Sequence, residues 1–312
     1  MHQPLQSLPE KSLHSDRASS KRPSKFRLDR IATLYLFSPL ARLNADSSFK
    51  VPILMYHSLA EEDESAIGPY FRIATSPSVF AAQMECLHRN GFATCGLAES
   101  IALRESPGPC PPRTVVITFD DGYQNFYQDA FPVLNRYGFS ATVFLPTAYI
   151  GESSLRFNGR QCLTWPEVRE LHRHGIRFGS HTVTHPQLSV LNKAELENEL
   201  GDSKVTIEDK IGCAVESFAY PYAFPRTNGD FRLRLRESLC RSGYINGVCT
   251  TVGRSGAGSD PLLMERLPVN NDDDQALFLA KLMGAYDWIA RAQFVAKTVK
   301  GARSALWAQR LG

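Results

Sequence analysis

The sequence predicts an α/β fold built on parallel strands, as an open sheet or a barrel, and three observations carry that expectation. From Val51 onward, short β-branched or aromatic runs alternate with longer stretches of helical periodicity. The strand–helix units recur roughly every 25–40 residues without internal sequence repetition, which reads as one domain of six or seven units and not a repeat array. The residues best suited to chemistry fall directly after two of the strand runs, where parallel α/β folds gather their active groups.

Taken in order, residues 1–30 are rich in Ser, Pro, Lys and Arg and read as a disordered basic tail. Residues 31–48 form a short helical lead-in whose apolar run Ile31–Phe37 is cut by Ser38-Pro39. The folded domain occupies 49–290. Its strand candidates are Pro52–Tyr56, Thr114–Phe119, Ala141–Leu145, Arg177–Ser180, Ser217–Tyr220 and Tyr244–Val248. The helical patterns are Ser78–Arg89, Phe126–Tyr137, Pro166–His174, Lys193–Ile211 and Gly229–Ser242, with a last helix from about Asp273 to Ala290. Thr164-Trp165-Pro166-Glu167 spells a capping box with proline in the first turn, so a helix starts there. The acidic run Asp272-Asp273-Asp274 answers a helix macrodipole better than it suggests a metal site. Residues 291–312 read as a basic amphipathic helix, with Val295, Val299, Ala302 and Leu306 at helical spacing beside Lys297, Lys300 and Arg303.

The composition, 43% hydrophobic and 21% charged over 312 residues, suits a globular chain with a sizeable core. The charge is uneven. Residues 1–30 carry seven Lys/Arg against three Asp/Glu, and residues 291–312 carry five against none, whereas the stretch between is acidic. An acidic body with basic ends excludes a nucleic-acid binder, whose basic surface sits on the folded domain. It leaves peripheral contact with an anionic membrane, or plain solvated tails. No stretch reaches the roughly 20 apolar residues of a spanning helix. The seven cysteines show no CxxC pair or regular spacing and read as mostly buried thiols of a reducing compartment. The expected location is cytoplasmic with membrane association. Export is the alternative, since Ile31–Phe37 has the character of a signal core set too far from the start.

Thr118-Phe119-Asp120-Asp121-Gly122 follows the strand Val115-Val116-Ile117. Two adjacent carboxylates at a strand end repel unless a cation lies between them or one keeps a proton. Gly122 permits the sharp turn that aims both at one place, although a plain Asp-Gly turn has the same spelling. His181-Thr182-Val183-Thr184-His185 follows another strand, and its histidines at i and i+4 would share one face of a helical turn. Two imidazoles and one carboxylate make a set that holds a zinc-like ion and leaves a position open for water. The remaining carboxylate can then serve as base.

These two motifs resemble those of the polysaccharide deacetylase family, also called the NodB-homology or carbohydrate esterase family 4 group, over roughly residues 50–290. The resemblance implies a distorted (β/α)7 barrel. It implies Asp120 as catalytic base, Asp121, His181 and His185 as holders of one divalent metal ion with zinc the default over cobalt, nickel or iron, and an N-acetylated glycan as substrate. The family's third motif, Arg-x-Pro-Tyr, is here Ala219-Tyr220-Pro221-Tyr222, so its arginine is missing. Arg266 is the expected substitute, with a surface arginine on a late strand as the other reading. Pro221 and Tyr222 keep the oxyanion position, and Tyr220, Tyr222 and Phe224 are candidates to stack on a sugar. No histidine follows His185 to act as the family's late general acid. Leu54-Met55-Tyr56-His57 resembles the opening strand of the permuted, poly-N-acetylglucosamine branch, which assigns that role to His57. The competing expectations are an O-acetyl esterase on a glycan and a catalytically inactive glycan-binding protein.

Overall fold

The computed structural model describes residues 27–43, 50–62, 64, 72–105 and 113–289. Seven parallel strands close into a barrel: β1 (Ile53–Tyr56), β2 (Thr114–Phe119), β3 (Thr142–Leu145), β4 (Arg177–Ser180), β5 (Ser217–Ala219), β6 (Asn246–Val252) and β7 (Met264–Pro268). Neighbours in sequence are neighbours in space from β2 to β7. The ring closes because β1 pairs with β7 on one side, Leu267 opposite Leu54, and with β2 on the other, Ile53 opposite Val116. A short strand, Ala93–Thr94, adds to the start of β2.

The strands are β-branched and apolar on both faces because both faces are covered. Ile53, Val116, Phe144, Ala219, Val248 and Met264 fill the lumen together with Val51 and Leu97. The opposite strand faces, including Leu54, Ile117, Val143, Phe218 and Leu267, pack under the helices in one continuous core. The lumen is tight at Gly179, where an added Cβ would stand 2.6 Å from the Phe144 ring and 2.8 Å from the Ser217 carbonyl.

The helices are α1 (Pro77–Arg89), α2 (Leu97–Glu105), α3 (Phe131–Tyr137), α4 (Trp165–Arg173), α5 (Lys193–Ile211), α6 (Gly229–Arg241) and α7 (Gln275–Leu282). Thr164 caps α4 in a capping box with Glu167, as its spelling predicts, and Asn192 with Glu195 does the same for α5. The pattern over 126–137 is split: a π-helical stretch, Phe126–Ala130, precedes α3. Pro132 has no amide hydrogen to donate back along the helix, which accounts for the widened turn. The strand expected at Tyr244–Val248 is instead Asn246–Val252, because Gly243 at φ +79° and the Tyr244 amide on the Leu239 carbonyl still belong to the end of α6. The last helix stops at Leu282, since Gly284 turns at φ +88°.

The acidic run has structural partners. Asp274 caps α7, Asp272 pairs with Arg72 at 2.7 Å, and buried Asp273 pairs with buried Lys281 at 2.6 Å. The helical lead-in begins at Leu28, three residues before the expected start, because Arg27, Asp29 and Arg30 are anchored. Arg27 reaches Asp273 at 3.1 Å, Arg30 reaches Asp274 at 2.6 Å, and Tyr286 donates to Asp29 at 2.8 Å. Most of the expected basic tail and the whole 291–312 helix lie outside the described residues. The described cysteines are unpaired.

Gly179→Ala is expected to lower stability by about 1–3 kcal/mol through overpacking of the lumen. A fall in the urea midpoint without a change in slope is the measurement that checks it.

Candidate active site

The apolar plug ends at Thr118, whose hydroxyl donates to the Leu54 carbonyl at 2.6 Å, and above it the lumen turns polar. Asp120 leaves β2 with its amide on the Tyr56 carbonyl, and His181 leaves β4 with its amide on the Leu145 carbonyl, each at 3.0 Å. Backbone bonds to the neighbouring strand thus set both side chains at the carboxyl end of the barrel.

Local strain concentrates here. Asp121, Thr182, His185 and Tyr222 all have φ between +57° and +70°, a region that side chains other than glycine seldom adopt. Such strain persists only where surrounding contacts fix it, and it clusters at functional sites. The contacts are visible. Gly122 follows Asp121 at φ +58°, and a Cβ there would lie 2.8 Å from Leu145. The His181–His185 segment is a loop, not the helical turn its spacing suggested. Glu199 of α5 accepts from the amides of Val183 and Thr184 at 2.8 and 2.9 Å, and the His185 amide donates to the Thr182 hydroxyl at 2.9 Å. Thr250 donates to the Tyr222 carbonyl at 2.9 Å. Tertiary hydrogen bonds, not helix geometry, therefore bring the two imidazoles together, with ring centroids 4.7 Å apart.

Asp121, His181 and His185 are buried, and each offers a ligand atom within 4.8 Å of the others. The Nε2 atoms of both histidines lie 3.5 Å from Asp121 Oδ1. Bonds of about 2.0–2.1 Å meeting at tetrahedral angles would put ligand atoms about 3.4 Å apart, so the residues fit a zinc-sized ion. His181 Nδ1 donates to the Ala219 carbonyl at 2.8 Å, which orients the ring and aims Nε2 at Asp121. His185 Nδ1 is buried and has no hydrogen-bond partner among the described residues.

Asp120 is held differently. Arg266 is fully buried and forms a two-point pair with it, Nη1 to Oδ1 at 2.6 Å and Nη2 to Oδ2 at 2.7 Å. The guanidinium is itself held by the Cys249 carbonyl and the Thr118 hydroxyl, each at 3.2 Å. Burial alone would raise the Asp120 carboxyl, but Arg266 and then His181 outweigh it and keep it below the usual carboxylate range. His57, half-buried beyond β1, places Nε2 3.8 Å from Asp120 Oδ2.

Burial opposes charge on His181, yet the carboxylates of Asp121 and Asp120 prevail and raise it above 6.5. Burial and the His181 charge push His185 down to about 4.

Pro221 is buried, and Tyr222 sets its ring edge-on to His185 at 4.6 Å while remaining 56% exposed. Tyr220 and Phe224 are buried and pack on each other at 4.9 Å, so of these three aromatics only Tyr222 reaches the surface. Sequence reasoning missed Glu199 and the hairpin Arg156–Gln161. Phe157 of that hairpin lies 5.0 Å from the His185 ring, and its Arg160 pairs with Glu62. Nothing in their spacing marks them; only the fold brings them to the site.

The profile of the family described as polysaccharide deacetylase matches residues 108–237. YxkH of Bacillus subtilis (strain 168), named as a polysaccharide deacetylase, is 31% identical over 231 residues, 74% of this chain and 75% of that protein. The poly-β-1,6-N-acetyl-D-glucosamine N-deacetylase of Staphylococcus aureus (strain MRSA252) is 28% identical over 158 residues, so the match spans 48% of this chain and about half, 53%, of that enzyme. Among solved structures, the deacetylase PplD of Streptococcus pyogenes, in complex with acetate, superposes with a TM-score of 0.66 at 24% identity, covering 76% of this chain and 99% of that one. IcaB from Ammonifex degensii gives 0.62 at 21% identity, covering 75% and 97%. Both likenesses bear on the fold, the closed barrel of the (β/α)7 type.

Replacing Arg266 by Met is expected to cost about 3–5 kcal/mol, because Asp120 is left buried and unpaired. Arg266→Lys should recover only part, since an ammonium cannot make the two-point pair; thermal or urea unfolding checks both. Metal binding requires neutral imidazoles. His185 is already neutral above pH 4 whereas His181 holds its proton past 6.5. Zinc titrated into metal-free protein near pH 6 should therefore release about one proton, not two, and affinity should rise with pH. Calorimetry in buffers of different ionisation enthalpy reads the proton count.

Proposed function

The chain belongs to the polysaccharide deacetylase family, and we propose that it is a metal-dependent hydrolase removing acetyl groups from N-acetylated sugars of a polysaccharide or of its lipid-linked precursor. The observation that carries this reading is the juxtaposition of two differently held carboxylates. Asp121 faces two imidazole nitrogens at 3.5 Å, while Asp120, next in the chain, is fixed by Arg266 and faces His57.

A divalent ion held by Asp121, His181 and His185, zinc by default, would supply Lewis acidity toward a water and the acetyl carbonyl. The chain's own groups supply the rest. Asp120 accepts the proton of the attacking water. Arg266 keeps that carboxylate ionised and oriented, doing from β7 what the missing arginine of the third motif does in the family. The Tyr222 amide donates to the developing oxyanion, a kind of contact whose loss typically costs about 10²–10³ in rate. His57 protonates the departing sugar nitrogen, so that acetate and a free amine result. The exposed Tyr222 ring beside His185 offers a face on which a pyranose can lie.

The same groups would cleave an acetyl ester. The amide reading is favoured by His57, because an amine leaving group needs a proton more than an alkoxide does.

Asp120→Asn is expected to retain metal and lose turnover by about 10²–10⁴, whereas His181→Ala loses both. Chelation should abolish acetate release from N-acetylglucosamine oligosaccharides, and zinc should restore it. Metal analysis alongside acetate and free-amine assays checks all three, and normal turnover in the Asp120→Asn protein would sink the assignment of the base.

A further inference from the structure

The helical lead-in is turned inside out. Its polar residues face the barrel: Arg27, Asp29 and Arg30 pair with Asp273, Tyr286 and Asp274, and Thr33 is fully buried and accepts from Trp288 Nε1 at 3.0 Å. Its exposed residues between 27 and 40 are Leu28, Tyr35, Leu36, Pro39 and Leu40, none of them charged and only the Tyr35 hydroxyl polar. Leu28 is 73% exposed, Tyr35 76% and Leu36 56%. A helix folded for water alone presents the opposite pattern. A contiguous apolar face of this kind marks an interaction site.

The charges around this face identify its partner. The chain before it, residues 1–26, holds Lys11, Arg17, Lys21, Arg22 and Lys25 against Glu10 and Asp16. The C-terminal segment, residues 291–312, holds five basic residues and no acidic one. It departs from the same place, because the Trp288 ring stacks on Phe37 at 4.8 Å. Two cationic stretches of sequence therefore flank the described chain next to an apolar stripe, and the residues between them, 31–290, carry more acidic than basic side chains. No helix among the described residues is long and apolar enough to cross a membrane. We infer that the Leu28–Leu40 face docks on the surface of an anionic lipid bilayer, with its apolar side chains in the headgroup boundary and the basic segments on the lipid phosphates. Apolar insertion and cation attraction are the two contributions that such interfacial helices combine. Arg27 and Arg30 fasten the first turn to the loop after β7, so the docking helix is tied to the catalytic end of the barrel.

The test is vesicle flotation of the full chain and of its Tyr35→Ser/Leu36→Ser/Leu40→Ser variant, on phosphatidylcholine vesicles with and without phosphatidylglycerol. The wild type is expected to float only with phosphatidylglycerol and to be released by salt. The variant should partition about tenfold or more weakly, with an unchanged melting temperature. A wild type that stays unbound overturns the inference, as does a variant that binds equally well. Light scattering without lipid that shows a wild-type dimer and a monomeric variant would assign the face to a second copy instead. A melting temperature lowered as much by the variant as by deletion of residues 291–312 would assign it to that segment.

Discussion

The buried two-point pair between Arg266 and Asp120 is the interaction on which the rest of the site depends. It spans the lumen from β7 to the end of β2, strands about 150 residues apart in sequence that meet only because β1 closes the ring between them. Two charges taken out of water are costly unless their geometry is good and their other hydrogen-bonding positions are filled. Here both conditions hold, since the Cys249 carbonyl and the Thr118 hydroxyl complete the guanidinium. The pair also separates the work of two adjacent carboxylates. Asp120 is engaged by a fixed cation, and Asp121 is left with two imidazoles at a spacing suited to a metal ion.

A second constraint is the strained backbone at Asp121, Thr182, His185 and Tyr222. Each holds its side chain or amide at the mouth of the barrel, and each is braced by a named contact from another element: Leu145 behind Gly122, Glu199 beneath the histidine loop, Thr250 against Tyr222. The bracing groups belong to β3, α5 and β6. Their part is to make the geometry of the ligand set a property of the whole barrel, which keeps it fixed whatever occupies it.

The lead-in helix shows the reverse economy. Its polar side chains are spent on the barrel, where Asp273, Asp274, Tyr286 and Trp288 hold them, and its apolar ones face outward. The helix is thereby tied, through Arg27 and Arg30, to the same end of the fold as the candidate site.

The sequence by itself determined the α/β alternation, the cap of α4 and six of the seven barrel strands to within a few residues, and it singled out the candidate ligands in the Asp-Asp-Gly and His-x-x-x-His runs. These are local matters: periodicity, turn chemistry and side-chain type are written in adjacent residues. It misjudged the histidine run as a helical turn because two imidazoles at i and i+4 also meet across a loop when a distant carboxylate, Glu199, gathers its amides. It left Tyr220 and Phe224 open as sugar platforms, although burial makes them core. Arg266 was reachable only through the family resemblance and its missing third-motif arginine, since nothing in Met264–Val269 distinguishes a lumen arginine from a surface one. That choice is made by barrel closure, which decides which faces of β7 and β2 look at each other. The inverted lead-in helix is likewise decided by tertiary structure: Arg27 and Arg30 turn inward only because the acidic loop after β7 is there to receive them.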